Sequence, residues 1–407
     1  MKIAISLSTI VLGLSLLSSP VAANTPDLCT DDIEDLRQLK PSDCDPTGRA
    51  GPDITVGSTI YNNDNAHFVI GSPKPSTTGR KLMRNLKGSS KSSKGSKSSK
   101  SDHIMVYLPG TTDWPALSSC LLQASASVGV PTIGLTSAYL SRGDNFRNTR
   151  CASLPEIAET VECLTEQHND AIYGGTYGAD RIYSDGASFW TAVDPLDSIA
   201  GRLGLLLAKL DSENPEEGWD HYYEPAMGEY PVSLPTPKWE KIAFMGHSQG
   251  AGHAAYLAQT KKIAGAVLLS GPQDECEGCA AGTKFWIDED FKTGKVTAFA
   301  HGDASASDLE PTLPSMKDNW NRMAKSGTVT WSYPVEVVDT GDYGKYDVCK
   351  TPIVSSIAPK GTSPCGRKGH CSTALDDSAP VLSTNEGDDV YIFALDIWAN
   401  VADVGKC

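Results

Sequence analysis

The stretch Trp239–Leu257, WEKIAFMGHSQGAGHAAYL, constrains the fold of this chain more than any other segment. It begins with the apolar run Ile242–Met245, which is typical of a buried strand. Its last part is rich in small residues, a composition typical of a helix that packs closely on its neighbours. Between the two lies the pattern G-x-S-x-G. That pattern, at Gly246–Gly250, places Ser248 at the apex of a sharp turn. The segment therefore predicts a strand, a tight turn and a helix.

Such a turn suits a nucleophile. A serine hydroxyl is weakly nucleophilic unless a base takes its proton, and the turn holds the hydroxyl clear of the backbone, where a histidine can reach it. Amide N–H groups can then face the oxyanion that develops on the substrate. Gly246 and Gly250 leave room for the close approach of strand and helix. We therefore expect Ser248 to be a nucleophile.

Strand-like and helix-like segments alternate along the rest of the chain. Further predicted strands are His67–Gly71, Ile104–Leu108, Val130–Leu135, Ile263–Ser270, Val296–Ala300 and Thr328–Val338. Further predicted helices run through Ala116 to Leu122, Pro155–His168, Leu196–Leu210, Leu313–Ala324 and Val390–Val401. This alternation predicts an α/β fold, in which helices cover both faces of a mainly parallel, doubly wound sheet.

The general base is predicted from chain order. In sheets of this kind an acid and then a histidine follow the serine, each on a loop at the carboxyl ends of the strands. Three histidines follow Ser248. His253 falls on the helix of the turn and His301 precedes any acid after its own strand, so His370 is the predicted base. His247 and His253 fall on different helix faces, so no metal site is predicted.

The acid and the oxyanion donors are expected near the ends of two strands. Asp303 is the first acid after the strand Val296–Ala300, and Asp308 stays open as the alternative. The acid would hold the imidazole in its productive tautomer. The predicted N–H donors to the oxyanion are Gln249, directly after the serine, and Thr111, after the strand Ile104–Leu108.

The start of the chain has the features of a secretory signal peptide. Lys2 precedes the apolar run Ile3–Leu17, and Val21-Ala22-Ala23 resembles a cleavage site. The run is shorter than the roughly 18 apolar residues of a membrane helix. We expect a signal peptide over 1–23, an N-terminal extension over 24–66, one large domain over 67–407, and a secreted mature protein without a membrane span.

The cysteines favour the same compartment. All eleven follow the predicted signal peptide, which indicates a disulfide framework. The odd number leaves at least one thiol unpaired within the chain, and the candidates are Cys120, on a predicted buried helix, and the terminal Cys407. Cys29 and Cys44 are close enough to close a small loop.

Two further cysteines bracket the predicted base. A bridge between Cys365 and Cys371 would close a short loop that contains His370. By the chain-entropy estimate such a bridge contributes about 2 kcal/mol to stability. We hypothesise that it holds His370 in place.

One segment is of low complexity. Lys87–Ser101, KGSSKSSKGSKSSKS, has five lysines, eight serines and two glycines and cannot bury apolar surface, so we predict a disordered insert over 72–102. Its simplest role is that of a solvated linker. It also resembles the silaffins and related segments of algal biosilica proteins, which implies contact with a cell wall or with silica. The lysines available for that contact are Lys87, Lys91, Lys94, Lys97 and Lys100.

Charge excludes one class of partner. The net charge is −15, although Lys81–Lys100 holds seven basic residues and no acidic one. The rest of the chain therefore has 28 basic residues against 50 acidic ones. An acidic body argues against nucleic-acid binding by the folded surface.

Taken in order, the motifs resemble those of the α/β-hydrolase superfamily. The resemblance lies in Leu108–Thr111, Gly246–Gly250, His301–Asp303 and Gly369-His370. Asp197–Arg202, Pro215–Trp219 and Gly246–Ala255 further resemble a little-characterised hydrolase family known mainly from bacterial genomes. The resemblance implies the α/β-hydrolase fold over residues 55–405 and a serine triad, and it implies no particular substrate.

These features predict a secreted serine hydrolase that cleaves carboxylic esters through an acyl-enzyme, with no metal or organic cofactor. A peptidase or acyltransferase would use the same triad. A non-catalytic cell-wall or biosilica-associated protein would keep the fold and bind through the lysine-rich insert. We expect the substrate pocket within 169–230, where aromatic residues either line it or pack the core: Tyr173, Tyr177, Tyr183, Phe189 and Trp190.

Overall fold

The computed structural model describes most of the predicted domain. It covers residues 36–48, 50–51, 54–56, 59–61, 64–71, 102–111, 113–127, 129–136, 151, 154, 156–174, 193–228, 233–274, 283–302, 313–336, 338–339, 347–356, 359, 368–379, 382–383 and 389–390. The predicted signal peptide, the low-complexity segment Lys87–Ser101, and both Asp303 and Asp308 lie outside the described residues.

A mixed, mainly parallel sheet of nine strands organises the described part of the chain. The strands are β1 (Leu36–Leu39), β2 (His67–Ile70), β3 (Ile104–Leu108), β4 (Thr132–Gly134), β5 (Ile242–His247), β6 (Gly265–Leu269), β7 (Val296–His301), β8 (Val338–Asp339) and β9 (Ile353–Ser355). Their order across the sheet is β1-β2-β4-β3-β5-β6-β7-β9-β8. β2 is antiparallel to both of its neighbours, and the other pairs are parallel.

Helices connect these strands. They are α1 (Pro41–Cys44), α2 (Ser119–Ser127), α3 (Ile157–Tyr173), α4 (Ile199–Glu213), α5 (Gln249–Thr260), α6 (Leu313–Lys325) and α7 (Lys368–Cys371). Short 3-10 turns lie at Pro115–Ser118, Pro215–Glu217, Trp219–Tyr222, Trp239–Lys241, Trp286–Asp288 and Asp376–Ser378. Three two-stranded ribbons lie outside the main sheet: Ile54–Val56 with Thr59–Tyr61, Tyr223–Glu224 with Thr236–Pro237, and Leu382–Ser383 with Asp389–Val390. The alternation of strands and helices confirms the predicted α/β class.

Both faces of the sheet are covered, which explains why its central strands are apolar throughout. In β3 every residue is fully buried, because successive side chains point to opposite faces and each face has its own core. Val106 packs in the core that α4, α5 and α6 share. Tyr107 packs in the core formed with α2 and with residues 371–379. Among the described residues, no helix is long and apolar enough to cross a membrane.

Two predicted elements differ from the structure. Residues 328–336 form bends and irregular structure instead of the predicted strand, and the next described strand of the sheet is β8. Pro334 has no backbone N–H to donate, and Trp331 packs its ring against Trp320 of α6, so the segment covers a helix. Val390, predicted to begin a helix, lies in a strand, and the rest of that predicted helix lies outside the described residues.

The cysteine predictions also need correction. Cys120 is disulfide-bonded, so it is not the free thiol, because burial on a helix does not distinguish a thiol from half of a bridge. The free cysteine of the described residues is Cys44, so a bridge from Cys29 to it is wrong. Cys44 is buried among apolar side chains in the core that α4, α5 and α6 share. Cys29, Cys365 and Cys407 lie outside the described residues.

Candidate active site

Ser248 lies between the carboxyl end of β5 and the start of α5, near the centre of the sheet. Its backbone has φ 54° and ψ −116°, a conformation that residues other than glycine rarely adopt. Its N–H donates to the carbonyl oxygen of Leu269 at 2.9 Å, and its own carbonyl accepts from Ala251 at 3.0 Å. These bonds hold a strained backbone, which is typical of functional sites. The predicted strand, turn and helix are therefore confirmed.

The two glycines of the turn are required by close contacts. A Cβ on Gly246 would lie 2.0 Å from the carbonyl oxygen of Gly250. A Cβ on Gly250 would lie 2.1 Å from the carbonyl oxygen of Leu108, at the end of β3. Because the atoms in contact belong to the backbone, no side-chain movement could relieve either clash. The absence of side chains here lets α5 begin directly against the loop that follows β3.

The loop after β3, which carries Thr111, passes beside Ser248 and contacts Gln249. A Cβ on Gly110 would lie 3.1 Å from the Cβ of Ser248, so this loop passes directly beside the serine. The hydroxyl of Thr111 donates to the side-chain oxygen of Gln249 at 2.9 Å. As the first residue of α5, Gln249 has no intrahelical acceptor for its N–H. The positive end of the helix dipole also favours an anion there.

His370 lies on α7, and its side chain is buried. Its carbonyl oxygen accepts from His247 Nε2 at 3.0 Å and from the hydroxyl of Ser270 at 3.0 Å. His247 is the last residue of β5 and Ser270 directly follows β6, so these contacts place α7 at the carboxyl ends of both strands. The structure therefore brings the predicted base to the same edge of the sheet as Ser248.

Gln273 contacts the predicted base His370 and was not predicted from the sequence. Its amide nitrogen lies 3.2 Å from Nδ1 and 3.5 Å from Nε2 of His370. The same nitrogen donates to the carbonyl oxygen of Ser270 at 2.9 Å, which fixes the orientation of the amide. The available signal was its position four residues after the end of β6, at the edge where the site forms.

No protein-family model matches the chain, and no curated protein matches it. The resemblance to α/β-hydrolases stays an expectation. The case for a function therefore depends on the geometry of the site.

The two candidates for the acid, Asp303 and Asp308, lie outside the described residues. The strand that leads to them is described. β7 ends at His301, and α7 packs against this strand. The chain therefore leaves β7 beside the segment that carries His370.

A buried pair of polar side chains, Asp113 and His247, lies next to the serine and was not predicted. The carboxylate of Asp113 is 3.0 Å from Nδ1 of His247, and both side chains are almost fully buried. Asp113 lies two residues after Thr111, and His247 directly precedes Ser248. A histidine inside G-x-S-x-G and an acid shortly after β3 were the only signals that the sequence offered.

His253 faces the core behind α5 and not the serine. Its Nδ1 lies 2.9 Å from Nδ1 of His168, whose Nε2 lies 2.7 Å from the carboxylate of Asp274. Trp286 also donates to that carboxylate, at 2.8 Å. Burial, and then the nearby His168, lower the pKa of His253 well below its ordinary value. His253 therefore lies on the helix of the turn, as predicted, and contacts the core instead of the serine. In the described part of the chain, no group of three potential metal ligands occurs.

Tyr173 packs the core and does not line a pocket at the serine. Its ring lies 6.2 Å from that of Trp239, which precedes β5. Because Ser248 follows the other end of β5, the two sites are separated by the length of that strand, about 20 Å. Tyr177, Tyr183, Phe189 and Trp190 lie outside the described residues.

Proposed function

We propose that the chain is a serine hydrolase that cleaves carboxylic esters through an acyl-enzyme, on an α/β-hydrolase fold. The observation that carries the proposal is the backbone of Ser248. A positive φ at a serine between a parallel strand and a helix is the structural context that the G-x-S-x-G motif requires. Ser270 also has a positive φ, of 47°, but it does not lie in a G-x-S-x-G pattern, so the backbone of Ser248 supports the proposal together with its motif and the helix that follows.

The surroundings of the serine support the same fold and chemistry. The loop with Thr111 follows the third strand of the main sheet and approaches the residue after the nucleophile, as an oxyanion loop must. His370 comes later in the chain and lies at the same edge of the sheet. The order serine, acid, histidine is kept if the acid is Asp303 or Asp308.

In the proposed reaction the hydroxyl oxygen of Ser248 attacks the ester carbonyl carbon, and its proton passes to the imidazole of His370. The N–H groups of Gln249 and Thr111 stabilise the oxyanion of the tetrahedral intermediate. The intermediate breaks its bond to the alkoxide, which takes the proton from His370 and leaves as the alcohol. Water then attacks the acyl-enzyme with the same base, and releases the acid and the free serine. Asp303 orients His370.

The decisive experiment is covalent labelling with a fluorophosphonate probe, followed by mass mapping of the labelled peptide. We expect labelling at Ser248 in the full-length protein and none in Ser248→Ala. Ser212→Ala, on the exposed side of α4, is the matched control and should label like the wild type. A folded wild-type protein that is not labelled at Ser248 would refute the proposal and leave a non-catalytic binding protein as its replacement.

The substrate class needs a second assay. A series of p-nitrophenyl esters of increasing acyl length, run against peptide amides, measures the size of the acyl site and separates an esterase from a peptidase. Hydrolysis of amides without hydrolysis of esters would contradict the ester preference and leave the nucleophile unchanged.

Export from the cell belongs to the same proposal. Five of the described cysteines are in disulfides, which is typical of an oxidising compartment. Cys371, the residue after His370, is one of them.

A further inference from the structure

The base lies on a very short helix, so something other than the helix must hold it. α7 has four residues, and a single turn of helix has little stability of its own. The carbonyl oxygen of His370 receives hydrogen bonds from His247, Ser270 and Thr373. Thr373 belongs to the same turn, so the hydrogen bonds from His247 and Ser270 are the ones that connect this carbonyl to the ends of β5 and β6.

His247 uses both ring nitrogens. Its Nε2 contacts the carbonyl oxygen of His370, and its Nδ1 contacts the carboxylate of Asp113, each at 3.0 Å. A carbonyl oxygen can only accept, so Nε2 must carry a proton. The contact with Asp113 needs a second proton, on Nδ1 or on the carboxyl group. The pair is therefore either a buried imidazolium with a carboxylate or a neutral imidazole with a carboxylic acid, and Nε2 donates in both forms.

Asp113 belongs to the oxyanion loop. Its N–H donates to the carbonyl oxygen of Gly110 at 3.1 Å, which closes a turn around Thr111. A Cβ on Gly110 would lie 2.8 Å from Nδ1 of His247 and 2.9 Å from the carboxylate of Asp113, so the turn packs directly on the pair. One imidazole thus contacts both the loop that carries Thr111 and the segment that carries His370, and it is adjacent to Ser248 in the chain.

We propose that His247 is a positioning residue: its imidazole, held by Asp113, sets the distance between the base His370, the nucleophile Ser248 and the oxyanion loop. The inference depends on the proposed hydrolase function. An imidazole suits the role because it is rigid and presents donors on opposite sides, whereas a flexible side chain would lose more conformational entropy when held. In such sites a small displacement of a catalytic side chain lowers the reaction rate strongly, so the contact between His247 and the segment of His370 should affect the rate.

Two amide substitutions separate the contacts of His247. The amide of glutamine extends one bond farther than that of asparagine, so His247→Gln keeps a donor near Nε2 and His247→Asn keeps a partner near Nδ1. We expect His247→Asn to lower kcat about tenfold with KM nearly unchanged, the effect of one lost hydrogen bond. His247→Gln, which keeps the donor to His370 but loses the contact with Asp113, should lower kcat less, by about threefold. His221→Gln, an exposed histidine, is the matched control.

The rate of fluorophosphonate labelling at Ser248 should follow the same order as kcat. Equal rates for His247→Asn and the wild type would overturn the inference, as would a His247→Gln variant that is as slow as His247→Asn. Labelling of the wild type at Ser248 tests the hydrolase function separately, because it does not depend on how the variants behave.

A measurement on the unmodified protein covers the case in which a variant does not fold. With 15N-labelled histidine, NMR reports which ring nitrogen of each histidine carries a proton. We expect a slowly exchanging proton on Nε2 of His247. A neutral His247 protonated only on Nδ1 would exclude donation to His370 and overturn the inference, even if Ser248 is labelled.

Discussion

Adding one methyl group at Gly250 should damage both the stability of the protein and its proposed activity. The new Cβ would lie 2.1 Å from the carbonyl oxygen of Leu108 and 2.7 Å from that of Pro109. Cβ atoms essentially never come within 3.0 Å of a non-bonded heavy atom from another part of the chain, so the start of α5 or the end of β3 must shift by about 0.9 Å. Overpacking of this kind costs about 2 kcal/mol.

The same shift would displace the candidate active site, because Ser248 and Gln249 directly precede Gly250 and Thr111 follows the strand that would be displaced. A misplacement of about 1 Å can lower a rate about 100-fold. We therefore expect Gly250→Ala to lower the rate of fluorophosphonate labelling about 100-fold. The melting temperature should fall by about 3 °C, since the entropy of unfolding of a domain this size is large.

Two other glycines serve as controls. A Cβ on Gly252, also on α5, would come no closer than 3.1 Å to the ring of His168, so Gly252→Ala needs only a small side-chain movement and should label like the wild type. A Cβ on Gly201 of α4 would lie 1.9 Å from the carbonyl oxygen of Pro195, so Gly201→Ala should lower stability without slowing the labelling of the folded fraction. If Gly250→Ala labels within threefold of the wild type, the reasoning about the tight turn is wrong.

Two further predictions concern pH and thiol reactivity. Burial lowers the pKa of His67 and of His253 well below 6.5, so both side chains are neutral in the folded protein. Below pH 6.5 each takes up a proton when the protein unfolds. The free energy of unfolding should therefore fall, as the pH drops from 6.5, by up to about 1.4 kcal/mol per pH unit for each histidine. Urea titrations at several pH values check this, and a constant urea midpoint from pH 7 to 5 would contradict it. Burial, and then the nearby charge of Asp43, raise the pKa of Cys44 to about 12, so iodoacetamide should modify Cys44 only after unfolding. Mass spectrometry maps the modified residues. Modification of Cys44 at pH 8 in the folded protein would contradict its buried position.

The central strands and the turn at the serine could be predicted because their signals are local. The predicted strand over Ile104–Leu108 is confirmed. It could be predicted because five consecutive apolar residues are typical of a strand in a sheet that is covered on both faces. G-x-S-x-G encodes its own geometry, because only glycine tolerates the backbone contacts at Gly246 and Gly250. The elements at the edge of the sheet were harder to predict from the sequence. The segment 328–336 has the composition of a strand, but it packs on α6.

The supporting contacts of the site could not be read from the sequence. Gln273 lies 97 residues from His370 along the chain, and Asp113 lies 134 residues from His247. Neither residue belongs to a motif, and each has an ordinary role available in a loop. The free thiol could not be predicted either, because Cys44 and the disulfide-bonded Cys120 are both buried on helices.

The α/β class, the central strands and the tight turn at Ser248 follow from local patterns, because hydrophobic period and backbone sterics act over a few neighbouring residues. The side chains that hold the predicted base follow from the packing of the whole sheet. The carbonyl of His370 meets His247 and Ser270 because two parallel strands end at one edge of the sheet. Such contacts depend on the packing of segments that are far apart along the chain, and no local pattern records them.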